Sequence, residues 1–212
     1  MQIGRAVARN FAVDKGGFMI AIIDYGAGNI ASVFNAIKSL NVEIELTNDS
    51  KKILEAEKII LPGVGEASFA MKKLKELNLI DTIRNVRQPF LGICLGSQLL
   101  CSFSEEGNVE CLGIIDANVL KFNDENSVVP HMGWNSIKIK KDDKLFKDIQ
   151  DKDEFYFAHS YYIPIIKETL SETSNIVNFS SSIKKDNFYG VQFHPEKSSK
   201  KGLLILKNFL EI

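Results

Sequence analysis

Cysteine is scarce in this chain: three residues among 212, at positions 94, 101 and 111. An odd, thinly spread set argues against a disulfide scaffold and for a reducing, cytoplasmic setting. A chain of this length can bury a sizeable core without such staples. No C-x-x-C pair occurs, which removes the usual framework of a structural zinc site. On one helix, Cys94 and Cys101 would stand roughly 10 Å apart along the axis, too far for a disulfide without rearrangement.

Charge of one sign is also missing. Lys and Arg number 26 against 27 Asp and Glu, a formal net charge of -1, so no electrostatic footprint calls for nucleic acid or an anionic membrane surface. No apolar run reaches the roughly 18 residues of a spanning helix. Histidine occurs only three times, at 131, 159 and 194, which leaves imidazole chemistry few candidates. Repeats, low-complexity linkers and a lysine-bearing phosphate loop are absent as well.

What is there begins with an irregular stretch. Residues 1–18, MQIGRAVARNFAVDKGGF, follow no clean period and break at Gly16-Gly17 just before Met19. Arg5 and Arg9 among apolar residues bear a faint likeness to a targeting peptide, but the apolar run is too weak for a secretory signal. We expect an extension outside the core, with one domain over 19–212. Within it, MIAIID (19–24), VEIEL (42–46), KIILPG (58–63) and PFLGI (89–93) read as strands. IASVFNAIKSL (30–40) and FAMKKLKEL (69–77) carry helical spacing between them. That alternation predicts an α/β fold, a central mixed, mostly parallel sheet with helices on both faces. After about residue 112, strand-like pieces follow one another (LGIID, ANVLKF, SIKIK, FYFAH, NIVNF, FYGVQF) before a closing amphipathic helix over 201–212. We expect these strands to be antiparallel additions to the same sheet.

The stretch FLGICLGSQLL (90–100) sets one cysteine between glycines, as G-x-C-x-G over Gly92 to Gly96. This is the cysteine counterpart of the nucleophile elbow, in which a strand turns sharply into a helix and the nucleophile sits at the strained apex. Amides at the helix start stabilise a thiolate, and the amide of Leu95 is placed to donate to an oxyanion. The same residues also suit a buried cysteine at a strand–helix turn. A cysteine nucleophile needs a base. His194, in YGVQFHPEKS, follows a strand-like run, and Glu196 stands two positions on, on the same face if the chain stays extended. The carboxylate would orient the imidazole toward the thiol. His131 and His159 have no acid at such short spacing and read as structural or binding residues.

GICLGSQLL followed about a hundred residues later by GVQFHPE resembles the class I glutamine amidotransferases of the Cys-His-Glu type, over the whole of 19–212. The resemblance implies their flavodoxin-like fold, no cofactor and no metal. It implies that Cys94 attacks the side-chain amide of L-glutamine, that His194 shuttles the proton and that Glu196 orients His194. LPGVGEA (61–67) would supply a second oxyanion-hole amide from Val64 or its neighbour, although an ordinary Pro-Gly turn reads the same way. DYGAGNI (24–30), PHMGWN (130–135) and FYFAHSY (155–161) add a likeness to one branch, the glutaminase subunits of imidazole glycerol phosphate synthase. Those subunits form a heterodimer with a (β/α)8-barrel cyclase that receives the ammonia and makes imidazole glycerol phosphate and AICAR in histidine biosynthesis. By this likeness Gly65, Gln98, Ser160 and Tyr161 hold glutamine. Asn29, Met132, Gly133, Trp134 and Lys197 would meet the cyclase, though Trp134 suits a core position equally. Glycines on both sides of Val64 would let its turn flip on partner binding, leaving the isolated chain a weak glutaminase.

Ser97 stands where the family most often has Met, and Ala158 where Val is usual, so a sister branch feeding ammonia to sugar amidation in surface-polysaccharide pathways fits the same motifs. Gly26 to Ala31 formally matches G-x-G-x-x-A, with Glu45 closing a second strand nearby. Asp24-Tyr25 parts that glycine run from the strand, and no second feature supports a dinucleotide. Cys101 and Cys111 are expected bystanders.

Overall fold

Four short apolar strands set the frame: β1 (Met19–Ile23), β2 (Glu43–Thr47), β3 (Lys58–Gly63) and β4 (Phe90–Cys94). Helices α1 (Ile30–Lys38), α2 (Ser50–Glu55), α3 (Ala67–Glu76) and α4 (Leu79–Asn85) cross between them. Each crossover returns the chain in the same direction, and β1 pairs in parallel with β2 and β3, and β3 with β4. The computed structural model describes residues 19–26, 29–123 and 129–212. The expected extension over 1–18 lies outside the described residues, as do Ala27 and Gly28 of the glycine motif.

Beyond β4 come a single helical turn, α5 (Leu95–Gln98), and then β5 (Cys101–Ser104), β6 (Val109–Glu110), β7 (Ile115–Lys121), β8 (His131–Ser136) and β9 (Lys138–Ile139). β10 (Glu154–His159), β11 (Tyr161–Tyr162), β12 (Thr169–Ser174), β13 (Asn178–Lys185), β14 (Phe188–Val191) and α6 (Ser199–Leu210) complete the chain. Eight strands share one sheet in the order β2-β1-β3-β4-β14-β13-β12-β9. The last parallel member is β14, laid against β4, and from there β13, β12 and β9 run antiparallel. The five parallel strands thus take the flavodoxin-like order, whose ligands bind at the carboxyl ends of the strands.

Only part of the second half joins that sheet, contrary to the expectation from the sequence. β7 forms a four-stranded sheet with β11, β5 and β6, while β8 and β10 pair by themselves. β10 buries Phe155, Phe157 and His159 on one side against the core, leaves the other side half open, and pairs with β8 instead of extending the main ladder.

Strand period two divides the interior. Ala21 and Ile23 of β1 face the layer of α2, α3 and α4, whereas Ile20 and Ile22 face Val33 and Ile37 of α1 and Ile205, Leu206 and Phe209 of α6. The C-terminal ends of β3, β4 and β14 meet at one edge, where the packing is glycine-tight. A Cβ on Gly96 would lie 1.9 Å from the Leu61 carbonyl oxygen, and one on Gly92 2.4 Å from that of Gly96. Gly96→Ala should therefore cost about 3 kcal/mol in urea unfolding, at the upper end of overpacking effects. Gly113→Ala, in open space at φ 64°, should cost only the left-handed backbone penalty of about 1 kcal/mol. Equal losses would show that contact at the elbow is not the constraint.

Candidate active site

β4 ends and α5 begins at Cys94, whose φ of 53° and ψ of -110° are foreign to a non-glycine residue. Such backbone costs on the order of 1–3 kcal/mol and persists only where its surroundings over-determine it. Here they do: Gly92, Gly96 and Gly63 let three backbones meet with no side chain between them. Cys94 is buried, and Leu95 opens the helix with an amide that has no place in the helical ladder.

The sulfur has directional neighbours. It lies 3.9 Å from the Ala158 carbonyl oxygen, to which the thiol donates, and accepts from Gln192 Nε2 at 3.7 Å. His194 is held by Glu196: Nδ1 lies 2.9 Å from Glu196 Oε1, both side chains are almost wholly buried, and the same Oε1 accepts from Asn29 Nδ2 at 2.5 Å. A donor at Nδ1 leaves Nε2 to face the thiol. Burial by itself pulls the basicity of His194 down, but its side-chain interactions with Cys94 and Glu196 outweigh this and hold it well above the ordinary imidazole value.

The thiol opens into a cavity of about 220 Å³ lined by Val64, Gly65, Leu95, Gln98, Ser160 and Tyr161, with Glu106, Pro130 and Met132 at the same wall. Every residue expected to hold an amide substrate or its oxyanion is thus brought to one space. Gln98, buried, donates through Nε2 to the Tyr161 carbonyl at 2.8 Å and to Gln192 Oε1 at 2.9 Å. Glu106 accepts from the Ala67 amide at 3.1 Å. Burial raises its carboxyl above the usual range against the pull of that amide. A larger cavity of about 450 Å³ lies at the other end of β4 and β14, among Arg84, Arg87 and Lys185. It contains none of the reactive groups.

Beside the thiol cavity, Met132 is 65% and Trp134 50% exposed. Trp134 meets Tyr156 edge-on at 6.3 Å, and Lys197 stands over Tyr156 at 5.9 Å. Met132, Gly133, Trp134 and Lys197 therefore share one surface. Asn29, half-buried, donates its side-chain amide to Glu196.

Three roles were not read from the sequence. Gln192 precedes His194 by two, and in an extended segment that spacing puts both on the face of the thiol. Glu106 lies in a turn after β5 and carried no local signal. Asn29, at φ 70°, is an ordinary helix-start asparagine until the fold brings Glu196 to it. Among the described residues no group of three or more His, Cys, Asp or Glu gathers as for a metal, and no helix is long and apolar enough to cross a membrane.

The family model described as glutamine amidotransferase class-I matches residues 21–212. The chain is 53% identical over 196 residues to the imidazole glycerol phosphate synthase subunit HisH of Bacteroides fragilis, covering 91% of this chain and 99% of that protein. To the HisH subunit of Buchnera aphidicola it is 50% identical over 194 residues, with 91% and 99% covered. To that of Haemophilus influenzae it is 48% identical over 192 residues, with 91% and 96% covered. Among solved structures, a putative GMP synthase subunit from Thermoplasma acidophilum superposes with a TM-score of 0.73 at 20% identity, over 92% of this chain and 93% of that one. A glutamine amidotransferase from Thermotoga maritima gives 0.62 at 21% identity, over 92% and 84%. These two likenesses establish the fold.

The buried histidine pair behind the cavity gives a test of the electrostatics. Tyr161's carbonyl accepts from His159 Nδ1 at 2.7 Å, so His159 Nε2 accepts from His131 Nδ1 at 3.0 Å, and His131 Nε2 accepts from Asn135 Nδ2 at 3.3 Å. Both rings are neutral in that arrangement. Burial lowers both, His159 to about 3. The unfolded chain then binds more protons below about pH 6.5. The stability contribution is thus present above that pH and is lost as pH falls toward the folded values. Urea midpoints of wild type should fall more steeply below pH 6.5 than those of His159→Gln. Parallel slopes would mean that the pair titrates as in the unfolded chain.

Proposed function

The chain belongs to the class-I glutamine amidotransferase family, and from that premise we propose that Cys94, His194 and Glu196 are its catalytic triad. The protein is the glutaminase subunit of imidazole glycerol phosphate synthase, hydrolysing glutamine to glutamate and ammonia. The observation that carries the triad is a histidine with one ring nitrogen on a buried glutamate and the other toward a thiol at a strained elbow.

The chemistry follows from those positions. Glutamine occupies the cavity with its side-chain amide at Cys94, its α-ammonium toward Glu106, and Gln98, Ser160, Tyr161 and Gly65 around it. The Cys94 thiolate attacks the amide carbon, and the developing oxyanion is met by the amides of Leu95 and Val64. His194, as imidazolium, gives its proton to the departing nitrogen, and ammonia leaves. Water then adds to the γ-glutamyl thioester with His194 as base, releasing glutamate and restoring the thiol. Glu196 keeps the imidazole in place and balances its charge, and Asn29 holds Glu196.

The partner is a (β/α)8-barrel cyclase, docked on Met132, Gly133, Trp134 and Lys197. That face supports the reading because large apolar side chains stand open beside the cavity where ammonia is made. The cyclase binds the ribonucleotide substrate. The HisH name carried by relatives at 48–53% identity favours this acceptor over a sugar. Three free cysteines, all buried, suit the cytoplasm. Gly65, at φ 97° with open space around it, leaves the turn after Val64 room to move although Gly63 is held in β3, so glutaminase activity is weak until the partner binds.

Cys94→Ala should abolish glutamine-dependent synthesis with the barrel present while leaving synthesis from added ammonium salt intact. Retained glutamate release would remove Cys94 as nucleophile. Trp134→Ala should weaken association with the barrel about tenfold or more by calorimetry, with turnover at saturating barrel unchanged. Wild-type affinity would instead assign Trp134 to packing against Tyr156.

A further inference from the structure

We propose that Gln192 is a further catalytic residue, its side-chain amide donating to Cys94 Sγ and stabilising the thiolate, a role that rests on the triad reading above. A glutamine amide has a donor end and an acceptor end, and the surrounding network decides which one meets the sulfur. The Tyr161 carbonyl only accepts, so the Gln98 atom 2.8 Å from it is the Nε2 donor. That same nitrogen lies 2.9 Å from Gln192, so the Gln192 atom there is the oxygen. Its amino group is then left for the sulfur, 3.7 Å away. One backbone carbonyl thus fixes the polarity of two buried amides in series and sets an N–H against the nucleophile.

Burial makes this donor count. Gln192 is 0% and Gln98 3% exposed, so water does not compete and the low dielectric strengthens each bond. An N–H donor gains much more from a thiolate than from a thiol, because the bond becomes charge-assisted. The Ala158 carbonyl, 3.9 Å from Sγ on β10, acts oppositely by accepting from the thiol. The titratable groups facing the sulfur are His194, after β14, and Tyr25, after β1. Gln192 is a donor from β14's end whose effect does not depend on its own charge. Were it only a brace for Gln98, its loss would disturb glutamine binding and leave the thiol unchanged.

The test is the pH profile of Cys94 alkylation by iodoacetamide in the full chain, read by peptide mapping, with circular dichroism and melting as folding controls. Gln192→Met, close in shape but without a donor, should move the profile to higher pH and slow alkylation at neutral pH about tenfold. The kcat for glutamine should fall in parallel. Gln192→Leu, shorter and likewise without a donor or a charge, should shift the profile the same way, and it decides the matter if Gln192→Met does not fold. A profile within twofold of wild type, or a rise in KM alone, would overturn the proposal. Ordinary thiol reactivity in the wild type would instead overturn the triad reading, and this inference with it.

Discussion

The site depends on one backbone conformation, that of Cys94 at φ 53° and ψ -110°. It places a thiol at the point where a buried strand becomes a helix, and it does so against the intrinsic preference of the residue. The strain survives because the glycines leave no slack: the backbones of Leu61, Gly63, Gly92 and Gly96 lie too close to admit even a methyl group. Packing enforced across two parallel strands therefore sets the direction of the nucleophile. The free Leu95 amide and the cavity follow from the same turn, since Leu95 continues it and Val64 extends the neighbouring strand.

Around that fixed sulfur, each polar group has its direction decided by a partner further out. Asn29 and His194 both donate to one oxygen of Glu196. The Tyr161 carbonyl orients Gln98, and through it Gln192; it also accepts from His159. The segment 158–161, from the end of β10 to the start of β11, thereby touches the thiol, the cavity wall and the histidine pair that reaches β8 and the exposed Met132–Trp134 face. Buried polar groups in such a setting are costly when unpaired, so a change at one member is felt along the line. This is the physical basis for expecting changes on the exposed strand β8 to influence the chemistry.

The sequence was most legible where chemistry demands local geometry. G-x-C-x-G encodes its turn within five residues, and H-x-E encodes its pair within three, although Glu196 reaches His194 from the 3-10 turn Pro195–Lys197 and not, as the spacing suggested, from an extended strand. β1, β3 and β4 were readable because both of their faces are buried, whereas β14, expected as an antiparallel addition, runs parallel to β4. β10 and β7 misled because a strand-like pattern does not say which sheet a strand joins. The contacts of Glu106 and Asn29 were illegible for a related reason: their partners, Ala67 and Glu196, are 39 and 167 residues away. Gln192 lay within reach, since its spacing from His194 is that of His194 from Glu196.

The most direct test of the account is to inactivate the protein with a diazoketone analogue of glutamine and map the adduct. The account predicts one adduct per chain, on Cys94, formed in step with loss of glutaminase activity and prevented by excess glutamine. Label on Cys101, Cys111 or another residue, or inactivation without label on Cys94, would contradict it.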